Sequence, residues 1–383
     1  MSKIEDLIKQ YCHNGVEYRT LSEICISLKK GTLKQNELVE DGEYPVINSG
    51  RDLYGYYSSY NNQGQAIVIA SRGEYAGFIT YMEGKFWAGG LCYPYSVKDV
   101  SICLPKYLFY FLKYKEKYIM DSLVARGSIP ALNKADIDKF QIPVPPMAVQ
   151  EEIVRILDAF TELEKELEKE LEKRKQQYEY YRNKLLTFDK NTTGGGIKFM
   201  QLSEVCKTIC AGGDLPINYV KNKTPTVEYP YPIYSNGTGE SALYGYSDTY
   251  KIGEDAVSIS ARGTIGYHTI RNANFTPIVR LITLIPNEKY ITVKYLNYVL
   301  DITNIISSGG KLGGGIPQLT VPNVKKLTIP VPPLEEQERI VSILDKFDAL
   351  VNNISIGLPA EINARRQQYE YYRDKLLTFE EAA

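Results

Sequence analysis

The sequence repeats itself, and the repeat limits how the chain can fold. The segment IPVPPMAVQEEIVRILDAF, from Ile142 to Phe160, returns as IPVPPLEEQERIVSILDKF from Ile329 to Phe347. A second segment, RKQQYEYYRNKLLTF ending at Phe188, returns as RRQQYEYYRDKLLTF ending at Phe379. Self-similarity of this kind indicates a duplicated structural unit. The chain is therefore predicted to contain one arrangement twice, and its 383 residues suit two domains.

The repeated segments are predicted to be long helices. Pro145 and Pro146 suit the first turn of a helix, and after them apolar residues recur at spacings of three and four, at Ile153, Ile156, Phe160, Leu163, Leu167 and Leu171. Such a stripe needs a partner, and the second copy is the natural one. The order of the segments along the chain makes the two helices antiparallel if they pair. Gly357 and Pro359 interrupt the second copy, so a break is expected near residues 357–359.

The segments between the helices are predicted to be globular. Short apolar stretches such as AIVIA at Ala66 and AVSIS at Ala256 are typical of strands, whereas KYLFYFLKYKEKY at Lys106 is typical of a helix. The two globular copies match only in islands, including YPVINSG at Tyr44 and YPIYSNG at Tyr231.

The expected fold is therefore α+β, an internal duplication with pseudo-two-fold symmetry in which two mixed α/β domains are joined by two long antiparallel coiled-coil helices. The predicted domains are residues 1–145 and 190–333, and the predicted helices are residues 146–189 and 334–379.

Composition and charge restrict the partners. The net charge of −1 hides an asymmetry, because residues 1–145 and 189–333 carry net charges of +1 and +4, whereas residues 146–188 and 334–383 carry −2 and −4. Any DNA contact is therefore expected on the globular parts. The sequence lacks an apolar run that could span a bilayer and an export signal, so a cytoplasmic protein with reduced cysteines is expected.

The sequence offers little catalytic chemistry. Cys206 and Cys210 would lie close together on a helix, but no second pair completes a zinc site and the chain has only two histidines. The segment GGKLGGG at Gly309 lacks the ending of a phosphate-binding loop. We therefore expect no metal, no cofactor and no catalytic residues.

Four features follow one another in the same order, twice along the chain. They are a GSIPAL-type loop, a strand ending in IPVPP, a helix start with Gln-Glu or Glu-Gln, and an RIL or SIL helix. This succession resembles the specificity subunits of type I restriction-modification systems over almost the whole chain. The resemblance implies a non-catalytic subunit with two target-recognition domains that reads a bipartite, asymmetric site in double-stranded DNA. It also implies two methyltransferase subunits and the restriction (motor) subunits as partners.

Within the globular parts, Arg72 and Arg262 occupy equivalent positions in the segments ASRG and SARG, after an apolar strand and before a glycine. Each arginine could contact a guanine edge or a phosphate, or could pair with a carboxylate of its own domain.

Further candidates for DNA contact lie in the neighbouring loops. Asn48 and Ser49, with Ser235 and Asn236 in the second copy, could read base edges or cap a turn, and a turn is favoured. The lysines Lys29, Lys30, Lys34, Lys221 and Lys223 are predicted to contact phosphates.

Two other functions remain open at this point. In the first, the chain is a non-enzymatic coiled-coil adaptor whose globular domains bind protein or carbohydrate partners. In the second, it is a stand-alone nuclease. Methylation of one split DNA motif in the presence of a cognate methyltransferase subunit distinguishes recognition from both.

Overall fold

The computed structural model describes residues 3–189, 196–303, 305, 318–352 and 356–382. The glycine-rich segment at Gly309 and most of the GGIPQL segment at Gly314 lie outside these residues. Within the described ranges, no helix is both long enough and apolar enough to cross a lipid bilayer.

The structure contains the long helices of the repeat, the helix at Lys106 and several shorter helices. Their bounds are α1 (Lys3–Tyr11), α2 (Leu21–Ile24), α3 (Pro105–Ser122), α4 (Lys134–Asp138), α5 (Met147–Leu186), α6 (Leu202–Val205), α7 (Val293–Ile302), α8 (Val321–Lys325), α9 (Leu334–Val351) and α10 (Leu358–Leu376). Helix α5 continues without a break through its 40 residues.

The second copy of the long helix consists of two helices, because α9 ends at Val351 and α10 begins at Leu358. A Cβ atom on Gly357 would lie 2.5 Å from the carbonyl oxygen of Ala349, so a glycine is needed for this close approach. Pro359 lies in the first turn of α10, where its missing N–H costs no intrahelical hydrogen bond.

The strands are short. Those of the first half of the chain are β1 (Glu17–Thr20), β2 (Cys25–Ser27), β3 (Tyr44–Ile47), β4 (Gly55–Tyr57), β5 (Asn62–Gln63), β6 (Ala66–Ala70), β7 (Ile79–Met82), β8 (Lys85–Ala88), β9 (Cys92–Val97), β10 (Val124–Ala125), β11 (Ala131–Leu132) and β12 (Gln141–Val144). Those of the second half are β13 (Lys198–Gln201), β14 (Cys206–Ala211), β15 (Tyr219–Val220), β16 (Tyr231–Tyr234), β17 (Leu243–Ser247), β18 (Ala256–Ser260), β19 (His268–Arg271), β20 (Thr276–Pro277), β21 (Leu281–Pro286) and β22 (Thr328–Val331).

The chain forms two compact units. Unit 1 contains residues 1–168 and 361–383, and unit 2 contains residues 169–360. Each unit thus combines one globular part, the beginning of one long helical segment and the end of the other.

Both units build a similar pair of sheets, which differ in one outer strand of the second sheet. An antiparallel sheet has the strand order β2-β9-β6-β7 in unit 1 and β14-β21-β18-β19 in unit 2. A second sheet has the order β4-β3-β8-β5 in unit 1 and β15-β17-β16-β20 in unit 2, with β3 parallel to β8 and β16 parallel to β20. The strands β6 and β18 are buried at all five positions, which explains their uniformly apolar or small residues.

In unit 1, the beginning of α5 packs against α10. The Phe160 ring stacks on the Tyr372 ring with centroids 5.7 Å apart, and Arg366 forms ion pairs with Glu164 and Glu168. Because residue numbers rise along α5 while those of the partners fall along α10, the two helices are antiparallel here.

In unit 2, the end of α5 packs against α9. The Phe347 ring stacks on the Tyr181 ring with centroids 5.6 Å apart, and Tyr178 lies beside Phe347 at 6.5 Å. Phe160 and Phe347 are equivalent residues of the repeat. The same aromatic contact therefore closes the helix pair in each unit.

All six cysteines lie in the described residues and are free thiols. Cys206 and Cys210 lie on strand β14 rather than on a helix. Burial raises the pKa of Cys206 to about 12, which keeps it a protonated thiol.

Candidate nucleic-acid interface

Four connections of unit 1 are tied together by hydrogen bonds. We call them the first loop cluster, which comprises residues 29–34, 48–51, 71–75 and 89–91. Leu91 N donates to Asn48 Oδ1 and Ser71 N donates to Leu91 O, both at 2.9 Å, and Gly31 N donates to Ala88 O at 2.9 Å. The end of β8 and the turn before β9 therefore hold the loops after β2, β3 and β6 together.

Arg72 directly follows the buried strand β6. Its neighbour Gly73 donates a backbone hydrogen bond to Pro130 O at 2.9 Å, and Arg72 itself bridges to Ala131. The Arg72 side chain is exposed, and the described part of the chain offers it neither an ion pair nor a hydrogen bond. The structure thus combines a fixed backbone with a guanidinium group that no described carboxylate engages.

Asn48 serves the turn, as the sequence analysis favoured. Its Oδ1 accepts the hydrogen bond from Leu91 N, and a Cβ atom on Gly89 would approach this oxygen to 2.5 Å. Gly89 therefore gives Asn48 the space to brace the loop. The next residue, Ser49, lies half-buried in the bend that follows β3.

The three lysines of the first loop cluster are exposed. The backbone of Lys29 is held from both sides by the Asn62 side chain, at 3.1 Å and 2.8 Å. The Lys30 ammonium lies 4.8 Å from the centre of the Tyr93 ring, and Lys34 N donates to Glu37 Oε2 at 2.7 Å. These contacts order the loop and leave the ammonium groups of Lys29 and Lys34 at the surface.

Unit 2 has an equivalent second loop cluster, which comprises residues 212–214, 235–239, 261–266 and 278–280. Asn236 is its centre, because its Nδ2 donates to Arg262 O at 2.7 Å and its carbonyl accepts from Thr264 Oγ1 at 2.7 Å. The Ser235 hydroxyl donates to Asn236 Oδ1 at 3.1 Å. Ser235 and Asn236 thus brace the loop that carries Arg262, which again favours the turn.

Arg262 also matches Arg72 in its structural surroundings. It follows the buried strand β18, and its half-buried side chain has no ion pair or hydrogen bond with any described residue. The loop backbone is fixed by a hydrogen bond from Leu319 N to Ala261 O at 2.9 Å, as Leu132 N to Ser71 O at 2.8 Å fixes it in unit 1.

Lys221 and Lys223 follow β15, which β17 separates from β16. The Lys221 ammonium lies 4.9 Å from the centre of the Tyr244 ring, and a hydrogen bond with Tyr244 raises the pKa of Lys221. Lys223 is exposed and its carbonyl accepts from the Tyr246 hydroxyl at 3.5 Å. Both lysines are available to an anion but follow the outer strand of the second sheet and lie outside the second loop cluster.

Two arginines at these surfaces were missed by the sequence analysis. Arg51 directly follows the YPVINSG segment, and its guanidinium carbon lies 5.9 Å from the ring centres of both Tyr75 and Phe78. Arg280 lies in the turn before β21, beside the Arg262 loop. Arg51 could have been found from the sequence, because it directly follows a repeated segment. Arg280 could not, because no local spacing connects it with Arg262.

The described residues contain no group of three or more His, Cys, Asp and Glu side chains that could hold a metal ion. The two loop clusters present cations, amides and hydroxyls on braced backbones. Such a surface suits the recognition of an anionic partner by charge and hydrogen bonding.

Comparisons with known proteins agree with this arrangement. The type I restriction modification DNA specificity domain matches the chain twice, over residues 13–173 and 195–364. The EcoR124I/EcoR124II specificity subunit of Escherichia coli is 30% identical, over 99% of this chain and 98% of that protein. A Mycoplasma pneumoniae protein named as a type I specificity subunit is 32% identical, over 93% of this chain and 96% of that protein.

Solved structures show the same fold. The S subunit of a type I restriction-modification system from M. genitalium superposes with a TM-score of 0.62 at 19% identity, over 95% of this chain and 96% of that chain. The two family matches cover both globular parts and the duplicated fold repeats with them. The chain therefore belongs to the specificity subunits of type I restriction-modification systems, the non-catalytic recognition subunits of these complexes.

Proposed function

We propose that the chain recognises a bipartite, asymmetric site in double-stranded DNA and reads one half with each loop cluster. Residues 1–145 and 190–333 are the proposed target-recognition domains, and residues 146–189 and 334–379 are the proposed spacer helices. The sequences of the two clusters differ while their backbones correspond, so the two halves of the site are expected to differ.

The observation that carries this proposal is the pair Arg72 and Arg262. Both follow a buried strand, both stand on a backbone that hydrogen bonds fix, and neither is engaged by a described carboxylate. An unpaired arginine held in this way is suited to contact guanine or phosphate, because its donors need no internal partner to be released first.

We also propose that the chain docks two methyltransferase subunits and, with them, the restriction subunits. The support is the near identity of the helical segments, which the recognition of two different half-sites does not require. In each unit these segments form the same aromatic contact, Phe160 with Tyr372 and Phe347 with Tyr181. Two similar surfaces suit two copies of one partner. The cytoplasm is the proposed compartment, in keeping with six free thiols.

The test is to express the chain with its cognate methyltransferase subunit and to map the methylated sites in the host DNA. We expect one split motif. Arg72→Ala is expected to weaken recognition of one half and Arg262→Ala of the other, each by about 5- to 150-fold in affinity, the range for one arginine contact to a base. Duplexes with either half randomised assign the loss to a half.

Arg19→Ala is the matched control, since Arg19 is an arginine of unit 1 that pairs with Glu17 on strand β1. It should leave both half-sites intact. An active complex that methylates without a split motif contradicts the proposal. Binding of the methyltransferase subunit without sequence-specific modification supports an adaptor instead, and metal-dependent cleavage of DNA by the purified chain alone supports a nuclease.

A further inference from the structure

The turn before β21 in unit 2 corresponds to the turn before β9 in unit 1. Ala261 N donates to Arg280 O at 2.8 Å, as Ser71 N donates to Leu91 O at 2.9 Å. One strand away, Ile278 N donates to Tyr234 O at 2.9 Å, and Gly89 N makes the same bond to Ile47 O at 2.8 Å. Arg280 and Leu91 therefore occupy the same place in the two loop clusters.

The backbone of Arg280 is strained. Its φ angle is +73°, in the left-handed region that glycine adopts without cost and a residue with a Cβ atom adopts at a cost in free energy. No hydrogen bond or ion pair to any described residue engages its exposed side chain. A strained residue whose side chain has no hydrogen bond or ion pair with the described residues points to a role toward a ligand.

Arg280 stands beside Arg262. The hydrogen bond between Ala261 and Arg280 joins the two loops one residue away from Arg262. Two positively charged guanidinium groups on fixed, neighbouring loops suit a negatively charged or electron-rich partner. Within the proposed function, this partner is the DNA of the second half-site.

The comparison with unit 1 distinguishes a base contact of Arg280 from a phosphate contact. Both domains meet the same sugar-phosphate backbone, so a phosphate contact at this place would be useful in both. Unit 1 has instead the exposed, apolar Leu91, which cannot bind a phosphate. A place that carries a cation in one domain and an apolar side chain in the other suits the reading of bases, which differ between the half-sites.

We propose that Arg280 is a specificity-determining residue of the second half-site, where its guanidinium group donates two hydrogen bonds to the O6 and N7 atoms of one guanine in the major groove. This inference rests on the proposed function. Nothing in the local sequence marks Arg280, because its neighbourhood with Arg262 arises only from the pairing of β18 with β21.

The test uses the complex of the full chain with its cognate methyltransferase subunit and duplexes carrying the mapped motif, with each base pair of the second half changed in turn. The variants are Arg280→Lys, which keeps the charge but loses the two-pronged geometry, and Arg280→Gly, which loses both and accepts the φ angle. Both variants are expected to lose about 5- to 150-fold of discrimination at one and the same G·C pair.

Thermal unfolding of the same variants separates binding from folding. Arg280→Gly should melt at the wild-type temperature or above it, because the backbone strain is removed. Lys207→Ala is the matched control, since it removes one positive charge at the other end of the β14–β21 strand pair and should leave the discrimination unchanged.

Three results would overturn the inference. In the first, Arg280→Lys retains full discrimination and Arg280→Gly loses affinity equally for all duplexes, which assigns a phosphate contact. In the second, neither variant changes the binding. In the third, the lost discrimination falls in the first half-site. A wild-type complex that shows no split motif contradicts the proposed function itself, and so the two failures remain distinguishable.

Discussion

Gln150 and Gln337 are equivalent residues of the repeat, and both are completely buried. The Gln150 Nε2 donates to Ile102 O at 2.8 Å and to Pro145 O at 2.7 Å, while its Oε1 accepts from Leu104 N at 2.9 Å. Gln337 makes the corresponding three bonds in unit 2. One side chain thus satisfies three backbone groups where each helix leaves its domain.

Gln150→Leu is therefore expected to destabilise unit 1 by about 2–5 kcal/mol, because buried backbone groups lose their partners while the volume is retained. Trp87 is the only tryptophan of the chain and lies in unit 1, so its emission during urea unfolding reports this unit. Glu151→Ala, at the exposed neighbouring position, is the control and should shift the transition little. Equal transitions for both variants would contradict the assigned role.

His268 shows a second effect at the residue scale. Its Nδ1 lies 2.9 Å from Gly266 O, and its Nε2 lies 3.1 Å from Asn297 O and 3.3 Å from Asp301 Oδ1. Burial acts to lower the pKa of His268, but the hydrogen bonds with Asp301 and the two carbonyls outweigh burial and raise it above 6.5. Both ring nitrogens face acceptors, so the fold favours the imidazolium.

Because the folded pKa exceeds the unfolded one, protonation of His268 stabilises unit 2 below pH 6.5, and this contribution is lost as the pH rises through the folded pKa. The chain has two histidines, so His268→Gln identifies the imidazole proton resonances that belong to His268, and the titration of these resonances gives its pKa. We expect its midpoint above 6.5. A midpoint below that value would show that burial dominates.

The candidate residues show how far the sequence reaches at this scale. The repeat located Arg72 and Arg262 because both lie in matched segments. It left the role of Asn48 open between a base contact and a turn, since its partner Leu91 is distant in the chain. The partners of such side chains follow from sheet pairing, which local spacing does not encode.

At the scale of elements, each domain is clamped to its long helix by an aspartate. Asp345 of α9 accepts from the Tyr298 hydroxyl at 2.7 Å and pairs with Lys294 Nζ at 2.6 Å, both on α7. Asp158 of α5 makes the same pair of contacts with α3 in unit 1. Burial and Asp345 raise the pKa of Tyr298, so its hydroxyl remains a donor across the neutral range.

Tyr298→Phe is expected to weaken the clamp by about 1–2 kcal/mol, the range for a hydrogen bond to a charged group that is partly exposed. Hydrogen exchange of the α7 and α9 amides should rise about 5- to 30-fold where local opening controls it. Tyr290→Phe changes an exposed tyrosine of the same unit and should leave the exchange unaltered. Faster exchange in α7 alone would mean that Tyr298 stabilises its own helix only.

The elements themselves were largely predictable. The apolar stripe predicted α5, and the short stretches of apolar or small residues predicted β6 and β18, because burial imposes these patterns. The parallel pairing of β3 with β8 was not predictable, because it joins distant segments. The interruption at Gly357 was visible, but the end of α9 at Val351 and the start of α10 at Leu358 depend on the close approach of Gly357 to Ala349.

At the scale of the whole molecule, each unit is completed by the helical end that the other copy supplies. In unit 1, Leu376 and Leu377 are buried in the core, Val16 N donates to Glu380 O at 2.9 Å, and Tyr18 donates to Phe379 O at 2.9 Å. The end of the second repeat is thus part of the first unit.

Truncation after residue 360 is therefore expected to destabilise unit 1 by more than about 3 kcal/mol, because two buried leucines alone account for that much. Trp87 emission in urea should report the loss at a lower denaturant concentration. Tyr371→Ala, which alters an exposed residue of α10, is the control. An unchanged Trp87 transition after truncation would contradict the composition of unit 1.

The same crossed composition sets an order of events during protein synthesis. Unit 1 starts first on the ribosome, yet its last 22 described residues, 361–382, are translated only after all of unit 2. Until residues 361–382 have been synthesised, the apolar face of α5 in unit 1 lacks the helix α10 that covers it. Unit 2 has all of its residues by then and can fold. The unit whose synthesis begins first is consequently the last to be completed.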